Sequence, residues 1–238
     1  MGLEEFQSAL AVVAHPDDIE SLCGGLVALL RANGARVAYV LLTSGDKGSA
    51  DPQADPRQVA ARREAEQLTA AHLIGVSEVT FLRWPDGEVA DDPATRAAIA
   101  REIRRTRPEL LLTFDPWHPY TFHNDHRQCG FAALAAAMTL ARRPGPPNDA
   151  PPHMPCAAWL FNTPRPNQFI DIATVMEQKI AIRQAHASQM SDPEALARSF
   201  RERAAHTGKP YGLALAETYR EVCFPRDDSL AACLEEET

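Results

Sequence analysis

This 238-residue chain predicts an α/β protein: a Rossmann-like three-layer α/β/α fold with a mainly parallel sheet and a smaller C-terminal part. Two observations carry the prediction. Apolar runs rich in β-branched residues alternate with amphipathic stretches of helical period, and the stretches between successive runs are long enough for helical crossovers between parallel strands.

The elements follow in order. Residues 8–14 read as a buried strand and 22–33 as a helix closed by Gly34 at its C′ position. Residues 36–43 ("RVAYVLLT") read as a second strand, and 56–75 as an amphipathic helix with Pro56 at its start and Gly75 at its end. A strand at 78–83, a helix at 93–106, the strand "ELLLTF" at 109–114 and a helix from about 126 to 142 complete the core. Residues 142–155 hold six prolines in fourteen positions, which forbids a regular helix or central strand. That stretch reads as a loop able to serve as a mobile flap. Beyond it lie strands near 157–162 and 168–172, a helix near 173–190 and a helical stretch from about 192. With no internal repeat, the expectation is a single domain over 1–238, divided into a core (1–142), a proline-rich loop (143–156) and C-terminal strands and helices (157–238).

Composition narrows the function. Acidic residues exceed basic ones by eight, and the only lysines, Lys47, Lys179 and Lys209, are scattered among dispersed arginines, so a nucleic-acid face is not expected. No apolar run approaches the ~20 residues of a membrane span, and "MGLEEFQSAL" is acidic where a signal peptide is basic, so the expected setting is cytoplasmic. Five cysteines, widely spaced and without a C-x-x-C pair, read as reduced thiols.

The chemistry sits at two predicted strand ends. The first strand runs into "AHPDDIE", which places His15, Asp17 and Asp18 where parallel α/β sheets bind ligands. The loop lacks G-x-G-x-x-G and the P-loop pattern, and acids in their place would repel a pyrophosphate. A cation reconciles adjacent carboxylates with an imidazole. The strand at 109–114 is followed by Asp115, His118, His123, Asp125 and His126. Together the clusters supply enough nitrogen and oxygen donors for a catalytic zinc site of three protein ligands. Asn124 or Asp125 also fits as a simple helix cap.

"AHPDDIE" with "CGG", "LTSGDKG" (42–48), "RREAE" before "LIGV", "WPDG" (84–87), H-x-D-H (123–126) and "KIAIRQAHASQ" (179–189), in that order, resemble the LmbE-like, PIG-L family of zinc-dependent N-deacetylases. The resemblance implies an LmbE-like fold and a hydrolase that removes the N-acetyl group from an N-acetylglucosamine-containing conjugate through metal-activated water. It implies His15, Asp18 and His126 as ligands of Zn2+, with Fe2+ as the alternative ion. Asp17 is then the general base, His123 protonates the leaving amine or stabilises the oxyanion, and Asp125 orients or tunes a histidine of its own motif. Arg63 matches the family's R-x-x-E and contacts substrate, or else forms a surface ion pair; Asp86 reaches the sugar, or else only forms a turn. The small-molecule partner is an amino-sugar conjugate, and the family often assembles, which makes a homo-oligomer an expectation.

The sequence departs from the family at Asn124, where relatives often have proline, and at Thr121, where some have tyrosine. His118 has no assigned role. Three other functions compete: an amidase acting on a sugar–thiol conjugate, a non-catalytic metal-stabilised binding module, and a nucleotide-dependent oxidoreductase. The missing glycine fingerprint disfavours the last. Asp17 and His123, which a structural metal does not require, disfavour the binding module.

Overall fold

The computed structural model describes residues 2–224, so Cys233 and residues 225–238 of the expected C-terminal part lie outside the described residues. Among these, seven strands, β1 (Ser8–Val13), β2 (Arg36–Thr43), β3 (Glu78–Trp84), β4 (Leu110–Phe114), β5 (Ala157–Phe161), β6 (Gln168–Asp171) and β7 (Ala216–Cys223), form one sheet in the order β3-β2-β1-β4-β5-β7-β6. The first five in that order are parallel, β7 runs antiparallel to β5, and β6 antiparallel to β7. Central β1, β4 and β5 are buried almost throughout, as strands covered on both faces must be.

The helices are α1 (Asp18–Leu22), α2 (Gly24–Ala32), α3 (Pro56–Leu73), α4 (Pro93–Thr106), α5 (Asn124–Ala135), α6 (Met176–Gln184) and α7 (Pro193–Gly208). Three of them start with the same dipeptide. Asp55, Asp92 and Asp192 accept from backbone N–H groups of the first turn, and the following proline occupies the first helical position, where its missing N–H costs nothing. Helices α1, α2 and α3 pack with α6, and α6 with α7; α4 packs with α5.

The structure differs from the sequence expectations in four places. The expected helix at 22–33 is preceded by the separate turn α1, the break falling at Cys23. The expected helix to 142 is regular only to Ala135 and widens into a π-helical turn over Ala136–Ala141. The expected helix at 173–190 is α6 flanked by short 3₁₀ turns. Strand β7 was not anticipated; it joins the C-terminal elements to the core sheet by pairing with β5. The proline-rich loop has no regular structure and is tethered: Arg104 pairs with Asp149, the His153 ring lies 2.7 Å from the Pro108 carbonyl, and Cys156 N donates to Glu109 O.

The chain leaves β1 for β2 on one side, whereas β4 pairs with β1 on the other. This reversal opens a crevice at the carboxyl ends of β1 and β4, the place where such sheets hold ligands. Among the described residues no helix is long and apolar enough to cross a membrane.

Candidate active site

The first wall of the crevice is built by the turn out of β1. Asp18 begins α1 and folds back, its Oδ2 accepting from His15 N at 2.7 Å. Between them Asp17 takes a left-handed conformation, φ 87° and ψ −10°, which costs a non-glycine residue of order 1–3 kcal/mol. Its N–H donates to Gln67 Oε1 on α3. Its carboxylate lies 3.3 Å from Arg183 Nη2 and 3.8 Å from Arg63 Nη2. Burial and the neighbouring Asp18 push the Asp17 carboxyl upward, against the two arginines and His186.

The second wall is the start of α5, with His123 at its N-cap position. Asp125 and His126 are successive on the first turn and so point about 100° apart. His126 Nε2 reaches Asp18 Oδ1 at 3.2 Å, and its ring stacks on both Phe114 and His123, at centroid distances of 4.2 and 4.1 Å. Asp125 turns the other way. Its Oδ2 lies 3.1 Å from His15 Nε2 and accepts from Gly87 N, and its Oδ1 accepts from Val89 N. Of the expectation that Asp125 orients or tunes a histidine of its own motif, the orienting contact is corrected, since adjacency on the helix diverts the carboxylate to His15, while its charge still acts on His123.

Asp86 joins the same group, with Oδ1 3.2 Å from His15 Nε2 and Oδ2 accepting from Lys47 N. With Nε2 turned to two carboxylates, His15 presents Nδ1 to Asp18, 3.5 Å away. His15, His123 and His126 each offer a ring nitrogen within 4.8 Å of the others. Three imidazole nitrogens beside one carboxylate form a nitrogen and oxygen set suited to zinc or iron(II).

The electrostatics fit a cation. Burial opposes charge on His15, yet Asp125, Asp18 and Asp86 overcome it and push its pKa up to about 11. Burial likewise opposes ionised Asp18, but His126 and His15 hold its carboxyl far below the usual range. A proton on His15 thus stands where a metal ion satisfies the same acids. His123 is pushed down by burial and by His126 and His15.

The structure brings His15, Asp17, Asp18, Arg63, Asp86, His123 and His126 to one cleft of about 490 Å³, also lined by Lys47, Gly48, Gly87 and Gln189. Arg63 is not a surface residue. It is buried, donating to Pro16 O and Gly45 O. Gly45 and Gly48 make room for it, since a Cβ at either would overlap the guanidinium. Asp125 stands behind this lining. Asp115 does not reach the cluster; it braces its own loop by accepting from Trp117 N and ties it to the turn after β5 by accepting from Thr163 Oγ1. His118 Nδ1 is buried with no hydrogen-bond partner.

Sequence reasoning missed Lys47, Gln67 and Arg183 as site residues. Arg183 and Gln189 sit in the stretch 179–189, whose helical spacing puts positions 179, 183 and 186 on one face, the only signal for them. Gln189 reaches the cleft by donating to Gly48 O.

A doubly wound sheet with a histidine and aspartate cluster at its switch point defines a metal-site α/β domain of LmbE-like type. The chain belongs to the PIG-L family, described as GlcNAc-PI de-N-acetylase, whose profile matches residues 10–137. It is 33% identical over 196 residues to a diacetylchitobiose deacetylase of Thermococcus kodakarensis, covering 79% of this chain and 72% of that one. The solved N,N'-diacetylchitobiose deacetylase of Pyrococcus horikoshii superposes with a TM-score of 0.86 at 28% identity, covering 93% of this chain and 85% of that one. A 4-oxalmesaconate hydratase of Pseudomonas putida is 32% identical over 200 residues, covering 77% and 74%.

Proposed function

We propose that this protein is a zinc-dependent N-deacetylase that hydrolyses the acetamido group of an N-acetylglucosamine-containing conjugate, with iron(II) as the alternative ion. The observation that carries the reading is Asp17. It stands beside the donor cluster, held by Arg183 and Arg63, and no cation site of His15, Asp18 and His126 requires it. The likeness to the diacetylchitobiose deacetylases supports the same class of substrate.

His15, Asp18 and His126 would hold the metal, with His123 at its edge. Such an ion supplies Lewis-acid polarisation of the acyl oxygen and a water acidified to a pKa of roughly 7. Asp17 takes a proton from the attacking water, whose oxygen bonds to the acyl carbon. Burial beside Asp18 raises the Asp17 carboxyl, which suits a group that must both accept a proton and give it back. His123, kept neutral by burial and by the neighbouring histidines, donates a ring N–H to the developing oxyanion. The proton held by Asp17 passes to nitrogen, the C–N bond breaks, and acetate and a free amine leave. Lys47, Arg63, Asp86 and Gln189 provide the polar lining that meets sugar hydroxyls.

The hydratase relative supports a second reading, in which the same water adds to an unsaturated acid. A panel separates the two. Zinc-loaded protein is assayed for acetate release from N-acetylglucosaminides with different aglycones, for cleavage of a sugar–thiol conjugate bearing another acyl group, and for hydration of 4-oxalmesaconate. Acetate release alone supports the proposal; hydration alone replaces it; metal binding with no turnover leaves the binding module. The cytoplasmic setting and self-association belong to the same proposal, and cell fractionation and sedimentation test them.

A further inference from the structure

A row of three buried polar side chains ends at Asp17. The Asp17 N–H donates to Gln67 Oε1 at 3.1 Å. Gln67 Nε2 in turn donates to Glu20 Oε1 at 2.7 Å. The other Glu20 oxygen lies 3.2 Å from His186 Nε2, in the segment that follows α6. Gln67, Glu20 and His186 are each 0% exposed, and none of them lines the cleft.

The order of donors and acceptors along this row has one solution. An amide side chain has an accepting end and a donating end. Glu20 Oε1 accepts from Gln67 Nε2, so Gln67 Oε1 is left facing the Asp17 N–H. A flipped amide would oppose two N–H groups at one end and two oxygens at the other. A buried carboxylate and imidazole are costly to desolvate, and apolar residues of the same size would fill the space. What distinguishes the row is the residue at its end, an aspartate held in the left-handed region.

We propose that Gln67 is a positioning residue for the general base. Its carbonyl oxygen, locked in orientation by the Glu20 carboxylate that packs against the His186 ring, holds the Asp17 backbone in the conformation that aims the carboxylate at the cleft. This rests on the reading of Asp17 as the base. Without Gln67 Oε1 the Asp17 N–H loses its partner, and the turn relaxes toward right-handed geometry, drawing the carboxylate away from Arg183 and Arg63.

The test compares zinc-loaded wild type, Gln67→Met, Gln67→Glu and the double variant Glu20→Gln/Gln67→Glu. Gln67→Met removes both hydrogen bonds at similar volume. The double variant exchanges donor and acceptor between the two positions, so that an acceptor still faces the Asp17 N–H. Two readouts are taken: kcat and KM per bound zinc, and the hydrogen-exchange rate of the Asp17 amide. Gln67→Met is expected to lower kcat by about 10–100-fold with KM unchanged, and to speed exchange of that amide by about 10-fold or more. The double variant recovers both values. A residue that merely packs would lower the melting temperature and leave both unchanged.

The proposal is overturned if the Asp17 amide exchanges in Gln67→Met as in wild type, or if the double variant folds and binds zinc without recovering. Should Gln67→Met fail to fold, Gln67→Glu is set against the double variant: its carboxylate opposes that of Glu20 and is displaced, so the Asp17 amide should exchange faster than in the double variant, and equal exchange overturns the proposal. A wild type that releases no acetate from any glucosaminide ends the deacetylase reading, while amide exchange still decides the positioning role.

Discussion

His15 and Asp125 are 110 residues apart in the chain, and Nε2 of the histidine lies 3.1 Å from Oδ2 of the aspartate. This contact joins the two clusters into one site. It also sets the histidine's tautomer, because a proton on Nε2 directed at a carboxylate leaves Nδ1 free to face a metal beside Asp18. Asp125 in turn holds Gly87 and Val89, so one carboxylate ties together the ends of three strands.

Loss of Asp125 is therefore expected to weaken metal binding without removing a ligand. Asp125→Ala should reduce zinc affinity by about 10–100-fold, read by competition with a chromophoric chelator. Affinity equal to wild type would show that the contact does not orient His15.

Asp17 and His126 should separate chemistry from binding. Asp17→Asn is expected to retain stoichiometric zinc and lose about 10²–10⁴-fold in kcat, whereas His126→Ala loses zinc as well as turnover. Elemental analysis beside initial rates distinguishes the two. An Asp17→Asn enzyme working at the wild-type rate would remove the assigned base.

The metal-free protein should show a pH dependence of stability that the loaded protein lacks. His15 rises from 6.5 to about 11 on folding, so the folded state holds the extra proton between those values. The stability this contributes is fully present below 6.5 and is lost as pH rises through 11. Asp18 is depressed from 3.8, so its contribution is present above that value and lost as pH falls below it. With the chelated protein, the melting temperature is expected to decline as pH rises above 6.5. Zinc, replacing the proton, suppresses the decline, and His15→Gln removes it from the metal-free protein. Equal slopes with and without zinc would contradict the assignment.

Stability should also depend on a contact remote from the chemistry. Glu217 on β7 caps α2, accepting from Gly25 N at 2.9 Å and Leu26 N at 2.8 Å, and it pairs with buried Lys179. Glu217→Ala leaves that ammonium buried without a counter-charge, held only by the Ser21 carbonyl and the Phe200 ring, which is expected to cost about 3–5 kcal/mol in urea unfolding. The kcat of the fraction that remains folded should not change.

The parallel core was legible because its strands are unbroken apolar runs and its helices carry Asp-Pro starts and glycine stops; 93–106 matches α4 at both ends. Strand β7 was not. "AETYREVC" is half-buried and mixes helix-forming alanine, glutamate and arginine with few β-branched residues, so its extended form comes from pairing with β5 and β6. The two ligand clusters were legible because each follows a strand end. What a local pattern does not encode is which side chain meets which across the crevice. Asp125 finding His15, Arg63 buried under Pro16, and Arg183 and Gln67 meeting Asp17 all arise from how α3, α5 and α6 pack.

The left-handed turn at Asp17 divides the chain's labour unevenly. Every proposed metal donor is encoded by residue 126, whereas Arg183 and His186 arrive only with residues 176–189. The first stretch carries the ion's donors together with Gln67 and Arg63, and the second adds Arg183 against the base and His186 behind it. Change confined to the later stretch can therefore retune turnover while the ion stays in place, whereas change in the earlier one can reach both.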